Sequence, residues 1–234
     1  MLEDNLKIVQ AKVQAALAAR TEAKATGNDV TIVAVTKNHP AEVVTESLQA
    51  GLTDVGENRV QEAQHKKAVL PAGGIWHLIG HLQSNKVKHA VELFDLIESV
   101  DSTKILASIE KEAAKLNKIQ EVLLQINEAR EEQKTGLSPE EFKNLLDTLE
   151  NYPHVRVRGV MVIAQATDKV KETRPVFAAG YQDFLLLQQL LGKEQCTLLS
   201  MGMTHDYWIA IEEGANVIRV GTALFGARDY TLKF

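Results

Sequence analysis

The hydrophobic positions of this chain follow two different periods, and the change between them divides the sequence. In residues 3–20 the apolar residues recur at steps of three and four, which predicts an amphipathic helix. These positions are Leu6, Val9, Val13 and Leu17. From residue 31 onward, short apolar runs alternate with helical stretches. We therefore expect residues 1–28 to form a helical extension that precedes a series of strand–helix units.

Eight apolar runs have the composition of buried parallel strands. They lie at 31–37, 54–56, 75–79, 95–100, 121–127, 157–163, 198–200 and 216–220. The helices predicted between them cover 41–50, 59–70, 85–93, 102–117, a segment that starts at Ser138, 173–191 and 206–213. Parallel strands need crossover helices and are buried on both faces, so this alternation predicts an α/β fold. Eight units close into a single (β/α)8 TIM barrel. An open doubly wound sheet is the alternative, but no Gly-x-Gly-x-x-Gly turn follows the first strand.

Composition and charge narrow the class of protein. The chain has 234 residues, of which 45% are hydrophobic and 24% charged, and its 5 prolines and 14 glycines form no linker. We therefore expect one domain over residues 1–234. The 26 basic and 31 acidic residues are scattered, so we expect no nucleic-acid partner. No apolar run approaches the roughly 20 residues that cross a bilayer, and no signal peptide is visible, so we expect no membrane association. The single cysteine, Cys196, suits a cytoplasmic protein.

Lys37 follows the apolar residues of the first predicted strand. In α/β barrels the functional residues lie at the C-terminal ends of the strands. An amine in this position is partly desolvated, which favours its neutral, nucleophilic form and permits Schiff-base chemistry. A lysine that simply reaches solvent from the end of a strand is the commoner alternative.

Two small polar segments follow the seventh and eighth predicted strands, where such barrels often bind phosphate. The residues are Ser200, Gly202 and Thr204 in the first segment and Gly221 and Thr222 in the second. Glycines let backbone N–H groups approach a phosphate, and the hydroxyl groups add donors. A helix that begins near Asp206 would point its N-terminal dipole at the same place. The pattern predicts a phosphate site, with two ordinary polar turns as the alternative.

Arg219 lies inside an apolar strand, where a buried guanidinium must be paired or hydrogen-bonded. Its alternation with Val217 and Gly221 predicts that it faces the barrel interior, and an outward surface position is the alternative. Asn58 and His81 follow the second and third strands and are candidates to contact a planar ligand.

His77 and His81 are spaced like a helical zinc pair. Their segment is predicted to be a strand, however, and no third ligand is visible, so we expect no metal site. Cys196 precedes an apolar strand and is interpreted as a buried structural thiol rather than a nucleophile.

Several motifs together resemble the YggS/PROSC family of pyridoxal phosphate homeostasis proteins. The motifs are Val35-Thr36-Lys37, Gly56-Glu-Asn-Arg59, the segment from Trp76 to Lys86, Arg158-Gly-Val-Met161, Ser200-Met-Gly-Met203 and the segment from Arg219 to Gly226. They occur in family-like order and spacing from about residue 30 to residue 230. The resemblance implies a single barrel of fold type III for pyridoxal phosphate proteins, like the N-terminal domain of alanine racemase.

The resemblance also implies a cofactor site for pyridoxal 5′-phosphate. The family's cofactor lysine falls on Lys37, and the arginine that faces the pyridine nitrogen falls on Arg219. The other residues implied to bind the cofactor are Asn58, His81, Met161, Ser200, Gly202, Thr204, Gly221 and Thr222. One departure is visible: the family usually has Ser followed by an acid after Met-Gly-Met, where this chain has Thr204-His205. Threonine keeps the hydroxyl group, so phosphate binding should survive.

A carrier rather than an enzyme is the function that the resemblance implies. A permanent positive charge at Arg219 disfavours protonation of the pyridine nitrogen and makes the ring a weaker electron sink. Because the sequence runs only to Phe234, we also expect no β-rich second domain of the kind that completes alanine racemase-like active sites. We therefore expect a monomeric cytoplasmic protein that holds the cofactor on Lys37 and exchanges it with apo-enzymes or amino-acid pools.

The alternative function is a minimal amino-acid racemase. Lys37 would act as the base on one face, and the second acid or base that racemisation needs would be His81, His205 or a tyrosine. Whether Lys86 or Lys134 also traps the cofactor stays open.

Overall fold

The eight predicted strands form a closed parallel barrel in the computed structural model, which describes residues 1–70, 73–131, 135–227 and 231. Each strand pairs in parallel with the next, and β8 pairs with β1. The strands are β1 (Thr31–Val35), β2 (Asp54–Glu57), β3 (Ile75–Leu78), β4 (Leu96–Val100), β5 (Gln120–Ile126), β6 (Val155–Val162), β7 (Leu198–Met203) and β8 (Val217–Val220). The TIM-barrel prediction is confirmed, and the open doubly wound alternative is wrong. Lys134 lies outside the described residues.

Helices connect the strands on the outside of the barrel. They are α1 (Leu2–Ala19), α2 (Glu42–Gln49), α3 (Val60–Val69), α4 (Val87–Leu93), α5 (Thr103–Lys115), α6 (Pro139–Leu146), α7 (Arg174–Leu191), α8 (Tyr207–Glu212) and α9 (Thr222–Phe225). The predicted start at Ser138 is confirmed, because its side chain accepts from the N–H of Glu141 while the Glu141 carboxylate accepts from the N–H of Ser138. Within the described part of the chain, no helix has both the length and the apolar character needed to span a bilayer.

Two strand boundaries differ from the prediction in ways that matter for the site. β1 ends at Val35, so Lys37 lies in the turn that follows rather than on the strand itself. β7 continues to Met203, beyond the predicted end at Ser200. The segment Ser-Met-Gly-Met has weak strand propensity, but pairing with β8, in which Met203 lies opposite Arg219, extends the strand.

The predicted helical extension packs onto the barrel. The apolar face of α1, which includes Leu6 and Val9, is buried against Tyr207 and Ile211 of α8 and against Leu224 of α9. The side-chain amide of Asn5 also donates to the carbonyl oxygen of Leu224 at 2.8 Å. Helix α1 therefore covers the outer face of the barrel where its last and first strands meet.

Alternate residues of each strand face the helices or the barrel interior. In β8, Ile218 and Val220 pack outward in the cluster that contains α1, while Arg219 between them points inward. In β4, Ile97 belongs to the outer core, while Glu98 reaches a side chain of β7. This alternation places an unusually polar set of side chains inside the barrel.

Candidate functional site

The turn after β1 presents Lys37 at the C-terminal end of the barrel. Lys37 is half-buried, and its neighbours Thr36 and Asn38 are both anchored to side chains of the next strand–helix unit. Asn38 has a φ of 57°, a left-handed conformation that asparagine tolerates better than most residues. The chain thus turns sharply immediately after Lys37.

Arg219 crosses the barrel interior and is 3% exposed. Its Nη1 donates to Ser200 Oγ, and its Nη2 donates to the carbonyl oxygen of Val162 at 3.0 Å. Ser200 Oγ in turn donates to Glu98 Oε2 at 2.5 Å, and that carboxylate lies 3.8 Å from Arg219 Nη1. The guanidinium is therefore paired and hydrogen-bonded, as a buried arginine requires.

His77 continues this interior network on its far side. Its Nδ1 lies 2.7 Å from Glu98 Oε1, and its Nε2 lies 3.0 Å from Asp54 Oδ1. A ring whose two nitrogens both face carboxylates is doubly protonated, because both nitrogens must then donate. Burial alone would lower the pKa of His77, but the hydrogen bonds with Asp54 and Glu98 outweigh it and raise the pKa to about 9.

The pKa values of the two carboxyl groups in this network, Asp54 and Glu98, shift in the opposite direction from that of His77. Burial would raise the pKa of Glu98 and of Asp54, yet the hydrogen bonds with His77 outweigh it and hold both pKa values below their usual range. Two anions therefore alternate with two cations from Asp54 through His77 and Glu98 to Arg219. The network is neutral as a whole, which reduces the cost of burying its charges.

Thr204 and Thr222 bring the two predicted phosphate segments together at the mouth of the barrel. The N–H of Ala223, next to Thr222, lies 3.4 Å from Thr204 Oγ1, so the β7–α8 and β8–α9 loops meet. Thr204 is half-buried and Thr222 is exposed. The arrangement matches an anion cradle formed by the last two loops.

Ser200 takes a different position from the one expected. Its side chain is fully buried in the barrel interior, and its only hydroxyl hydrogen is committed to Glu98. It cannot also donate to an anion at the barrel mouth while this bond is formed. We therefore interpret Ser200 as a bridge between Glu98 and Arg219, and its predicted contact with the phosphate stays a prediction.

Gly202 and Gly221 both lie at close packing contacts, and their predicted approach to a phosphate stays a prediction. A Cβ on Gly202 would lie 2.6 Å from the Cα of Tyr207, and its φ of 90° also favours glycine. A Cβ on Gly221 would lie 3.1 Å from the carbonyl oxygen of Val35. These glycines let β7 approach α8 and let β8 approach β1. Gly221 lies directly after β8, at the loop where a phosphate is expected, whereas Gly202 lies within β7.

Asn58 and His81 line a cleft of about 510 Å³ at the ends of β2 and β3. The Oδ1 atom of Asn58 is buried and has no hydrogen-bond partner among the described residues. His81 is exposed at the rim, where its Nδ1 lies 2.7 Å from Asp101 Oδ2. The remaining lining residues are Arg59, Val60, Gln61, Glu62, Gln83 and Lys86.

Met161 and His205 lie on the opposite side of the barrel. Met161 is fully buried in β6, where it packs against Leu96 and Leu123 inside the barrel. His205 lines a second cleft, of about 840 Å³, at the ends of β6 and β7. Met161 therefore forms part of the floor of the barrel mouth, whereas His205 lies at its rim.

His77 and His81 have separate partners, Glu98 and Asp54 for the first and Asp101 for the second. The part of the chain that the structure describes contains no group of three or more histidine, cysteine or acidic side chains suited to a metal ion. Cys196 is buried, and burial raises the pKa of its thiol to about 12, which makes it a poor nucleophile.

Two sets of charged residues beside the predicted site were not predicted from the sequence. The first set lies inside the barrel and consists of Asp54, Glu98 and the imidazolium form of His77. The second set lies beneath the Lys37 turn and consists of Lys66 and Glu57. Glu98 stands inside an apolar run, and the reasoning applied to Arg219 would have flagged it too. The pairings depend on which strands and helices face one another, and no local pattern specifies that.

The comparisons with known proteins identify the family to which this fold belongs. The family model described as "Alanine racemase, N-terminal domain" matches residues 8–229. A "Pyridoxal phosphate homeostasis protein" from Haemophilus influenzae is 38% identical over 233 residues, which cover 98% of this chain and 97% of that protein. The chain belongs to the pyridoxal phosphate homeostasis protein family.

Solved structures extend the comparison of this family to three dimensions. The structure of PipY from Synechococcus elongatus with PLP bound is 36% identical, covers 97% of this chain and 100% of its own, and has a TM-score of 0.82. An alanine racemase from Clostridium difficile is 14% identical, covers 96% of this chain and 57% of its own, and has a TM-score of 0.71. The racemase likeness concerns the fold alone. It agrees with the barrel found here, and the racemase chain continues well beyond the part that aligns.

Proposed function

We propose that this chain binds pyridoxal 5′-phosphate through a Schiff base with the Lys37 amine and carries the cofactor without using it for catalysis. The observation that carries the proposal is PipY, which is 36% identical over nearly the whole chain and was solved with PLP bound. Curated relatives named pyridoxal phosphate homeostasis protein support the same role. When bound, the cofactor supplies an aldehyde that reacts reversibly with amines.

The residues present fit this cofactor. Lys37 supplies the amine, and the Thr204 and Thr222 hydroxyls with the adjacent backbone N–H groups supply donors for the phosphate. Arg219 supplies a permanent charge for the pyridine nitrogen. The unpartnered, buried Oδ1 of Asn58 marks an amide whose hydrogen bonds are unfinished, as expected beside a polar ring substituent.

A carrier role agrees with the charge that surrounds Arg219. The Asp54–His77–Glu98 network keeps the guanidinium fixed in the barrel interior. A fixed positive charge disfavours a proton on a neighbouring ring nitrogen and weakens the ring as an electron sink. We further propose that residues 1–234 act as one monomeric PLP-binding unit in the cytoplasm that delivers the cofactor to apo-enzymes. These last points rest on the motif resemblance.

Reductive labelling tests the cofactor site directly. The full chain is mixed with pyridoxal phosphate, its absorption spectrum is recorded, borohydride is added, and peptides are sequenced by mass spectrometry. We expect a yellow complex and a reduced label on the peptide that contains Lys37. Lys86→Ala, which removes another half-buried lysine at the same end of the barrel, is the matched control and should retain the label. A protein that stays colourless at saturating cofactor would refute the proposal.

Amino-acid turnover separates the carrier from a minimal racemase. The loaded protein is incubated with single-enantiomer alanine and other amino acids, and the enantiomers are separated by chiral chromatography. We expect no sustained inversion. Multiple turnovers that disappear in Lys37→Ala would overturn the carrier role in favour of the racemase.

A further inference from the structure

Lys66 is a fully buried lysine directly behind the turn that carries Lys37. It lies on α3, and its side chain has no exposed surface. Its Nζ donates to the carbonyl oxygen of Thr36 at 2.8 Å, to Glu57 Oε1 at 2.7 Å and to Glu62 Oε1 at 2.8 Å. Three acceptors match the three hydrogens of an ammonium group.

The two carboxylates that bind Lys66 reach back to the same turn. Glu57 Oε1 accepts from the hydroxyl of Thr36 at 2.6 Å, and Glu62 Oε1 accepts from the backbone N–H of Asn38 at 2.7 Å. These contacts anchor the residue before Lys37 and the residue after it. None of them uses the side chain of Lys37.

Burying the charged cluster of Lys66, Glu57 and Glu62 costs free energy, which argues for a role beyond general stability. Burying an ammonium and two carboxyl groups carries a desolvation penalty that pairing only partly offsets. Burial raises the pKa of Glu57 to about 7, and its Oε2 has no hydrogen-bond partner among the described residues. An apolar contact between α3 and β2 would hold the barrel together at lower cost.

We propose that Lys66, with Glu57 and Glu62, positions the Thr36–Asn38 turn so that Lys37 is presented at the barrel mouth. The inference rests on the proposed function of Lys37. Lys66 itself does not touch the cofactor and is a positioning residue. Without the cluster, the sharp turn with a left-handed Asn38 loses its anchors, and Lys37 spends less time in the orientation that reacts.

Hydrogen exchange at the Asn38 amide tests the positioning in the full chain without any cofactor. Lys66→Met keeps an unbranched side chain that is one atom shorter and removes all three donated bonds. Glu62→Ala removes the Asn38 acceptor and leaves Lys66 paired with Glu57. We expect Asn38 exchange to become about tenfold faster or more in both variants, the change expected for loss of a charge-assisted hydrogen bond. Glu62→Gln keeps an acceptor oxygen and should restore most of the protection.

Lys67→Met is the matched control on the same helix. The Lys67 amine donates to the carbonyl oxygen of Leu93 instead of to the Lys37 turn. This variant should leave both Asn38 exchange and Lys37 labelling unchanged. The rate of labelling of Lys37 by pyridoxal phosphate should fall about tenfold in Lys66→Met and Glu62→Ala, because the contacts that anchor the Thr36–Asn38 turn are lost.

The two proposals fail in different ways. Asn38 exchange and Lys37 labelling that are both unchanged in folded Glu62→Ala would overturn the positioning role of the cluster, whether or not Lys66→Met folds. Failure of the unmodified protein to label on Lys37 would instead overturn the proposed function. The exchange result does not depend on the cofactor and would stand.

Discussion

The imidazolium of His77 makes a quantitative prediction about stability. An unfolded histidine has a pKa of about 6.5, whereas hydrogen bonds with Asp54 and Glu98 raise the folded pKa of His77 to about 9. Because the folded pKa is the higher one, the stabilisation is fully present below pH 6.5 and is lost as pH rises through 9. The difference in pKa corresponds to about 3 kcal/mol, an order-of-magnitude figure that needs no discount for screening because His77 is buried.

The variant His77→Gln isolates this contribution. The free energy of unfolding is measured by urea denaturation from pH 6 to 9.5 in the wild type, in His77→Gln and in the surface control His89→Gln. Glu57 and Asp183 also have raised pKa values, about 7 and 8, so their contributions to the unfolding free energy also fall as pH rises. Their effect is common to all three proteins and cancels in the comparison.

We expect the unfolding free energy of His77→Gln to be about 3 kcal/mol below that of the wild type at pH 6. This difference in unfolding free energy should become much smaller by pH 9.5. His89→Gln should follow the wild type at every pH. An NMR titration of the imidazole resonances should place His77 near 9. A gap that is constant with pH, or a His77 ring that is neutral at pH 7.5, would refute the reasoning.

Three further predictions concern single side chains. Thr204→Val should weaken binding of pyridoxal phosphate about tenfold. Ser200→Ala should chiefly lower the unfolding free energy, by about 1–3 kcal/mol, because it breaks the bridge to Arg219. Equilibrium binding and urea titrations check both variants, and the reverse pattern would contradict our interpretation of Ser200. Cys196 should react with a thiol reagent only on unfolding, because burial raises its pKa to about 12, and rapid labelling of the native protein would count against its burial. Ser138→Ala should cost about 1 kcal/mol through loss of the capping box, as measured by thermal unfolding, and an unchanged melting temperature would show that the cap does not contribute.

Local patterns were enough to predict the barrel. Each apolar run and each helix start, such as the Ser138 cap, reflects interactions between residues close in sequence, and eight such units permit few arrangements. The alternation of Arg219 with Val217 and Gly221 predicted its interior position. In the structure Ile218 and Val220, on either side of it, pack in the outer core.

The partners of the charged side chains could not be predicted in this way. Ser200 looked like a loop donor until the pairing of β7 with β8 extended the strand and turned its hydroxyl toward Glu98. Lys66 lies in the helix predicted over 59–70, and the docking of α3 on β2 buries it. Both results depend on tertiary geometry, which overrides local preference.

The pairing of β1 with β8 has a consequence for how the polypeptide is made. Thr31 aligns with Val217, so β1 finds its neighbour on this side only after the intervening strands β2 to β7 have been made. Until then the growing sheet has an unpaired edge, the kind of surface that invites aggregation, and contacts so distant along the chain form slowly. A nascent polypeptide arrested before Val217 therefore has an open sheet in place of a closed barrel and is a natural substrate for chaperones and proteases.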